Sequence, residues 1–299
     1  MSGALEARVA AALAAPVRPE VSVIAAEIGR EAGARAVLFY GSNLRTGSLD
    51  GVLDFYVLLP GAQAERIWPR VSYREWPAAN GAAGAVLRAK IATMTLDAFA
   101  RAARGESRDT TIWARFVQPA GLAWAANDAA RGEVAEAVAG AARTAARLAA
   151  ALGPAKGAAE EFWRALFRAT YRAEFRVERP GRENDILAVN AGHFDGLLPL
   201  AWEAAGIAFA RQGACLTPRL GGRERARILG WWRARARLGK PLNLLRLAKA
   251  STTFEGAARY AAWKIERHTG VAVELTPWRE AHPLLAAPGA LWRVWRARR

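Results

Sequence analysis

Two segments near the N-terminus carry polar residues inside otherwise apolar sequence. Tyr40-Gly41-Ser42 ends one apolar run, and Asp54 lies within a second run about a dozen residues later. A glycine lets backbone N–H groups approach a phosphate, a serine hydroxyl donates to a phosphate oxygen, and a carboxylate ligates Mg²⁺. These residue types suit phosphoryl transfer, which concentrates negative charge on the attacked phosphate and is assisted by metal ions.

Three predicted strands hold these residues in position. Residues 34–42 and 52–59 are short apolar runs typical of buried strands. Residues 86–94 form a third, in which Arg88 and Lys90 share one face because strand side chains repeat with a period of two. Thr95 then caps a helix that we expect to end near residue 104.

Helices dominate the rest of the prediction. Residues 1–20 read as an amphipathic first helix rather than an export signal, since Glu6 precedes Arg8 and the apolar run is weak. Residues 128–152 and 158–172 are alanine-rich with charges at helical intervals. After about residue 200 we expect only helices, with breaks near residues 221–222, 239–241 and 276–277.

Composition excludes several classes of protein. The 299 residues are 53% hydrophobic and 23% charged, which is typical of a globular chain. A single cysteine, Cys215, cannot form an internal disulfide, and the three histidines have no zinc-site spacing. Charged residues interrupt every apolar run before the roughly 18 residues that a membrane span needs. We expect a protein that is soluble or lies on a membrane surface.

The positive charge is concentrated in the last third of the chain. The net charge is +16, and residues 201–299 contribute 19 basic and 6 acidic residues. Such a field attracts nucleic acid, nucleotides or an anionic membrane. Composition alone does not choose among these partners.

The order of the first two segments resembles the polymerase-beta-like nucleotidyltransferases. In that superfamily the glycine and serine contact the nucleotide triphosphate and the strand carboxylate holds Mg²⁺. The usual metal-binding pair is Asp-x-Asp, but Val52 stands where the first aspartate would be. Asp50 can share a metal with Asp54 only if the chain turns at Gly51. Taken alone, the pattern also fits an ordinary buried strand beside a loop aspartate.

Further segments are similar to the mitochondrial-type phosphatidate cytidylyltransferases, the translocator assembly and maintenance family. The resemblance covers about residues 34–267, and the family shares the single aspartate of the Leu-Asp-Phe strand. The chain departs from the family pattern at Gln118, Ala173 and Glu174, where the family has Lys, Gly and Asp. The segments that carry the resemblance are Tyr40-Gly41-Ser42, Leu53-Asp54-Phe55, Lys90-Ile91-Ala92, Leu96-Asp97-Ala98-Phe99 and residues 112–119, 170–177, 181–186, 191–194 and 256–265.

The resemblance implies the reaction of CTP with phosphatidate to give CDP-diacylglycerol and pyrophosphate, with Mg²⁺ as cofactor. The expected site has three groups of residues. The catalytic carboxylates are Asp54, Glu174 and Asp50, of which Asp54 and Glu174 hold the metal. The nucleotide-binding residues are Tyr40, Gly41, Ser42 and Lys90. The residues for the substrate phosphates are Arg115, Arg176, Arg259 and Lys264. For Lys90, Arg115 and Arg176 a salt bridge or a solvated face is the alternative.

The C-terminal tail suits a membrane surface. Trp292 and Trp295 are neighbours on a helix, flanked by Arg293 and Arg296. Tryptophan prefers the headgroup interface, and clustered arginines attract anionic lipids. We therefore expect membrane docking there, with packing into the core as the alternative. Trp231-Trp232, followed by alternating arginines, is a second candidate and fits the core better.

Together these features predict an α+β protein with a small mixed-sheet nucleotidyltransferase domain followed by a mostly helical basic domain with an amphipathic C-terminal helix. The expected boundaries are 1–125, 126–270 and 271–299. The expected partners are a nucleoside triphosphate and an anionic phospholipid membrane, without nucleic acid, in a cytoplasmic protein peripheral to the inner face of the cell membrane. The alternatives are a nucleotidyltransferase acting on RNA or another phosphorylated acceptor, and a non-catalytic basic binding protein.

Overall fold

A computed structural model describes residues 3–65, 69–77, 86–173, 182–253, 256–270, 273–281 and 292. The strands are β1 (Ala36–Tyr40), β2 (Val52–Leu59), β3 (Arg70–Pro77), β4 (Val86–Thr95), β5 (Ala120–Ala125), β6 (Gly157–Ala158), β7 (Phe209–Gln212) and β8 (Cys215–Pro218). The helices are α1 (Ala4–Leu13), α2 (Pro19–Glu31), α3 (Ser42–Thr46), α4 (Leu96–Ala103), α5 (Thr111–Phe116), α6 (Asp128–Leu152), α7 (Ala159–Ala173), α8 (Arg182–Val189), α9 (Ala191–Phe194), α10 (Leu197–Ala204), α11 (Gly222–Thr253), α12 (Ala257–Thr269) and α13 (Pro277–Ala281).

The first five strands form one mixed sheet in the order β3-β4-β2-β1-β5. Strands β2 and β4 run parallel, whereas the other neighbouring pairs are antiparallel. All five residues of β1 are buried, as the apolar run predicts for a central strand covered on both faces. The α+β class with a mixed sheet is therefore confirmed.

Helices cover both faces of this sheet. On one face, Val21, Ile24 and Ile28 of α2 pack against alternate residues of β1 and β2, among them Phe39 and Phe55. The other face carries Leu38, Tyr40, Tyr56 and Leu58, which belong to a larger core shared with α4, α5 and α6. Because strand side chains alternate, Asp54 and Tyr56 share this second face.

Helix α6 is the centre of the helical layer. Its small alanines let α1, α4, α5, α7, α10 and α11 pack around it. Trp163, Trp202 and Trp232 fill the space beyond. This core contains residues from both sides of residue 125. The predicted domain boundaries stay a prediction.

The elements predicted up to residue 173 are largely confirmed. Helix α1 buries Leu5, Val9 and Leu13, and Thr95 accepts a hydrogen bond from the backbone N–H of Ala98 as the cap of α4. Strands β2 and β4 and helices α6 and α7 lie within one residue of their predicted bounds. Strands β3 and β5 carry no strong alternating pattern and were not predicted.

The all-helical prediction after residue 200 is wrong in two places. Strands β7 and β8 form a hairpin that pairs with β6 in a second, three-stranded sheet. The predicted break at residues 239–241 is absent, since α11 continues through Pro241. Tertiary contacts hold both halves of α11: Trp232 is buried in the core and Arg246 pairs with Asp109. No helix among the described residues is both long and apolar enough to cross a membrane.

Candidate active site

A row of four polar side chains crosses the sheet from strand to strand. Tyr40 of β1 is opposite Asp54 of β2, Asp54 is opposite Lys90 of β4, and Lys90 is opposite Tyr73 of β3. Register partners on neighbouring strands point to the same face. The four side chains therefore line one transverse strip of the sheet, on the face covered by the helical layer.

The turn after β1 comes close to this row. Gly41 has φ 94°, and a Cβ at that position would lie 3.0 Å from Oδ2 of Asp54. Only glycine accommodates both the positive φ and the short approach. Asn43 fixes the following loop, because its Nδ2 donates to the carbonyl oxygens of Ser48 at 2.9 Å and Asp50 at 2.8 Å.

Helix α5 brings Arg115 over the first member of the row. Its Nη1 donates to the hydroxyl oxygen of Tyr40 at 2.9 Å, and its guanidinium carbon lies 4.9 Å from the centre of that ring. Burial raises the pKa of Tyr40 to about 12, although Arg115 opposes this shift. Tyr40 therefore stays protonated at neutral pH and positions Arg115.

Asp54 and Lys90 are an acid and a base that the fold holds partly out of water. Burial raises the pKa of Asp54, even though Lys90 and Arg115 favour its charged form. Burial also lowers the pKa of Lys90, and Arg115 and Lys264 lower it further, whereas Asp54 raises it. Both groups lack a fully compensating partner, which is typical of a functional site.

Two cavities meet at Tyr40 and Arg115. We call the first the Ser42 cavity; it has a volume of about 270 Å³ and is lined by Tyr40, Gly41, Ser42, Arg45, Asp54, Arg115, Gln118, Pro119, Tyr171, Ile186 and Asn190. We call the second the Arg246 cavity; it has a volume of about 180 Å³ and is lined by Tyr40, Tyr56, Pro69, Val71, Lys90, Ala92, Thr111, Arg115, Asn243, Arg246 and Lys249. The register partners Asp54 and Lys90 thus face different cavities.

A buried ion pair holds the wall of the Arg246 cavity. Nη2 of Arg246 lies 2.7 Å from Oδ2 of Asp109, and only 5% of Asp109 is exposed. The same carboxylate accepts from the backbone N–H of Thr111 at 3.0 Å and from its hydroxyl. Burial raises the pKa of Asp109, but Arg246 and Thr111 outweigh it and the net pKa is lowered. Asp109 therefore fixes both α5 and α11 at the cavity.

Helix α12 lies along the far side of the row. Tyr260 packs against Tyr73 with ring centres 5.5 Å apart, and Arg88 lies over Trp263 at 5.5 Å. The positive charge of Lys264 lowers the pKa of Lys90. Arg267 lies beside the turn before β2, since a Cβ at Gly51 would be 3.2 Å from its Nη1. Positions 260, 263, 264 and 267 share one helix face. The helix thus adds cations beside the acid and base of the sheet.

The structure brings together most of the predicted site residues that it describes. Tyr40, Gly41, Ser42, Asp54, Lys90, Arg115 and Lys264 are close together. Arg259 is not among them, because it is more than half exposed and its Nε pairs with Glu280 of α13. The chain does turn at Gly51, with φ 90°, but Asp50 is exposed in the loop before β2.

Several predicted residues lie outside the described residues: Glu174, Arg176, Arg293, Trp295 and Arg296. Trp292 is described and 55% exposed. Of the second docking candidate, Trp232 is buried, and Nε1 of Trp231 donates to the carbonyl oxygen of Gly105. The interpretation of that pair as core residues is confirmed.

Sequence reasoning missed five polar residues that line the two cavities: Arg45 of α3, Asn190 between α8 and α9, and Asn243, Arg246 and Lys249 of α11. No local pattern marks them, since a polar residue in or beside a helix most often faces solvent. For the three residues of α11, the signal was the excess of basic residues after residue 200, which pointed to a region rather than to positions.

The residues present fit a magnesium ion held jointly with a substrate. Mg²⁺ is usually bound by one or two carboxylates together with substrate phosphates and water. Asp54 can serve in this way, because no hydrogen bond or ion pair within the described residues occupies its carboxylate. The described residues contain no cluster of three or more His, Cys, Asp or Glu side chains able to hold a metal by themselves.

Comparison of the chain with protein-family models gives no match, and comparison with curated proteins gives none either.

Proposed function

We propose that the protein is a CTP:phosphatidate cytidylyltransferase, which makes CDP-diacylglycerol and pyrophosphate with Mg²⁺. The observation that carries the proposal is the placement of Asp54, a carboxylate without a protein partner among the described residues, in the Ser42 cavity beside Arg115, which borders both cavities, while its register partner Lys90 lines the Arg246 cavity. A reaction between two phosphate compounds needs two adjacent sites, cations for both, and a carboxylate for the metal.

The Ser42 cavity suits the nucleotide. Gly41 and Ser42 offer a close backbone approach and a hydroxyl donor, and Arg45 and Arg115 supply positive charge for the triphosphate. Asp54 would hold Mg²⁺ together with the phosphates. When bound, the ion would neutralise charge that develops on the attacked phosphate.

The Arg246 cavity suits the phosphate of the acceptor. Lys90 supplies a cation there and Asn243 a side-chain amide, while Arg246 and Lys249, which pair with Asp109 and Glu65, also line the cavity. An oxygen of the acceptor phosphate forms a bond to the α-phosphorus of CTP, and the bond from that phosphorus to pyrophosphate breaks. Arg115 borders both cavities, so it can contact both phosphates during the transfer.

The identity of the acceptor rests on the colinear resemblance to the phosphatidate cytidylyltransferases, and the basic C-terminal third supports an anionic lipid. The test is to incubate the protein with Mg²⁺, radiolabelled CTP and vesicles containing phosphatidate, and to extract label into the organic phase. We expect label in CDP-diacylglycerol, none without Mg²⁺, and none with Asp54→Ala, whereas the exposed Asp97→Asn control retains activity.

The alternatives give different results in the same experiment. A nucleotidyltransferase for RNA or another phosphorylated acceptor would label that acceptor and leave the lipid unlabelled. A binding protein without catalysis would release no pyrophosphate with any acceptor. Either result, obtained with protein shown to be folded, would overturn the proposal.

A further inference from the structure

The second half of α11 has two faces of different character. Asn243 and Arg246 point into the Arg246 cavity. On the outside of the same turns, Leu244 is 67% exposed and Leu245 is 52% exposed. A single stretch of helix therefore borders a phosphate-binding cavity on one side and presents two adjacent large apolar side chains on the other.

Cations flank this apolar pair. Lys240 lies one helical turn before Leu244, and Arg237 lies one turn before Pro241; both cations are exposed. Neither takes part in an ion pair with another described residue. Exposed leucines bordered by Lys and Arg are the composition of helices that lie in a membrane interface, where leucine enters the acyl boundary and the cations meet anionic headgroups.

The fold holds Leu244 and Leu245 on the outside of α11. In the first half of α11, Trp232 is buried in the core. Gly239 packs so closely on α7 that a Cβ there would lie 2.3 Å from the carbonyl oxygen of Ala173. Arg246 is fixed by Asp109 at the other end. The leucines cannot turn inward without breaking these contacts, so their exposure is built into the fold.

We infer that the outer edge of α11, defined by Arg237, Lys240, Leu244 and Leu245, binds the surface of an anionic lipid bilayer. The inference rests on the proposed function, because the membrane surface is the source of the lipid acceptor. With this edge in the interface, the Arg246 cavity lies on the other side of the same helix, about 10 Å, one helix diameter, from the headgroups that would supply the acceptor. This edge is distinct from the predicted Trp/Arg tail.

A vesicle-binding experiment tests the inference without measuring catalysis. Vesicles of phosphatidylcholine with phosphatidylglycerol, and vesicles of phosphatidylcholine alone, are floated with the protein. We expect wild-type to float with the anionic vesicles and Leu244→Ser/Leu245→Ser to bind them about tenfold more weakly. Val23→Ser is the matched control, because Val23 is also 67% exposed but lies on α2 at the opposite face of the sheet. Equal flotation of wild-type and the leucine variant would overturn the inference.

Turnover separates this inference from the proposed function. The leucine variant should lose activity on phosphatidate in vesicles but keep wild-type activity on a short-chain, water-soluble phosphatidate. If wild-type converts neither substrate, the proposed function fails, while flotation still decides the role of the edge. If light scattering shows that wild-type is a dimer and the leucine variant a monomer, the edge is an interface between two copies and the inference fails.

Discussion

Asp54 and Lys90 are register partners on parallel neighbouring strands, yet no hydrogen bond or ion pair joins their side chains within the described residues. An acid and a base that are partly buried without direct contact destabilise the fold, because neither recovers its lost hydration. The arrangement is explained if a ligand with its own charges completes it. The proposed substrate, a triphosphate with Mg²⁺, has both signs of charge.

Replacement of Asp54 should separate stability from activity. The raised pKa means that ionisation of Asp54 opposes folding at neutral pH, and that this penalty disappears as the pH falls through the folded-state pKa. Asp54→Asn should therefore leave the urea midpoint at pH 7 unchanged or raised while cytidylyl transfer falls by about a hundredfold or more. A clear loss of stability would contradict this account of the carboxylate.

Lys90 should set the alkaline limit of activity. Its pKa lies below the ordinary value of 10.5, so the ammonium loses its charge at a lower pH than an exposed lysine. We expect kcat/KM to fall as the pH rises through this pKa, and Lys90→Arg to move the alkaline limb upward because arginine stays charged. A limb at the same pH in both proteins would assign the titration to another group.

The Asp109–Arg246 pair should contribute strongly to stability. Asp109→Asn leaves Arg246 without its buried counter-charge and should cost about 3–5 kcal/mol in urea unfolding. Because the pKa of Asp109 is lowered, its contribution is present at neutral pH and is lost as the pH falls through the folded-state value, below 3.8. Arg259→Gln, which breaks the exposed pair with Glu280, is the control and should cost less than about 1 kcal/mol.

Two glycines with positive φ provide a matched test of the turn beside Asp54. Gly41→Ala combines the backbone strain at φ 94° with a Cβ 3.0 Å from Oδ2 of Asp54. Gly47→Ala has a similar strain at φ 66° but meets no atom within 4 Å. Each should lose about 1–3 kcal/mol of stability, and only Gly41→Ala should also lose transfer activity. Equal activity in the two variants would show that the approach to Asp54 is unimportant.

Tyr40 should act through Arg115 rather than by its own ionisation. Tyr40→Phe removes the acceptor of the 2.9 Å hydrogen bond from Arg115, so we expect kcat/KM to fall about tenfold. The pH profile near neutrality should keep its shape, because the pKa of Tyr40 is about 12. A shifted profile in the variant would instead give Tyr40 a direct role in proton transfer.

The sequence predicts the parts of the site that depend on local patterns. Asp54 and Lys90 lie in strands with clear apolar periodicity, so their strands and the face of Lys90 could be predicted. The pairing of β2 with β4 is a long-range choice that no local pattern specifies. The contribution of α11 was missed for a related reason: Gly239 and Pro241 favour a break in isolation, whereas tertiary contacts, among them those with Ala173 and Asp109, hold the helix on both sides of these residues.

The row formed by Tyr40, Asp54, Lys90 and Tyr73 has a consequence for how such a chain can change over evolution. A deletion or insertion of one residue within any of the four strands would turn that strand's member of the row to the face covered by α2. Changes of length are tolerable only in the connecting loops. The spacing inside each strand should therefore be invariant among functional descendants, while the lengths between strands vary.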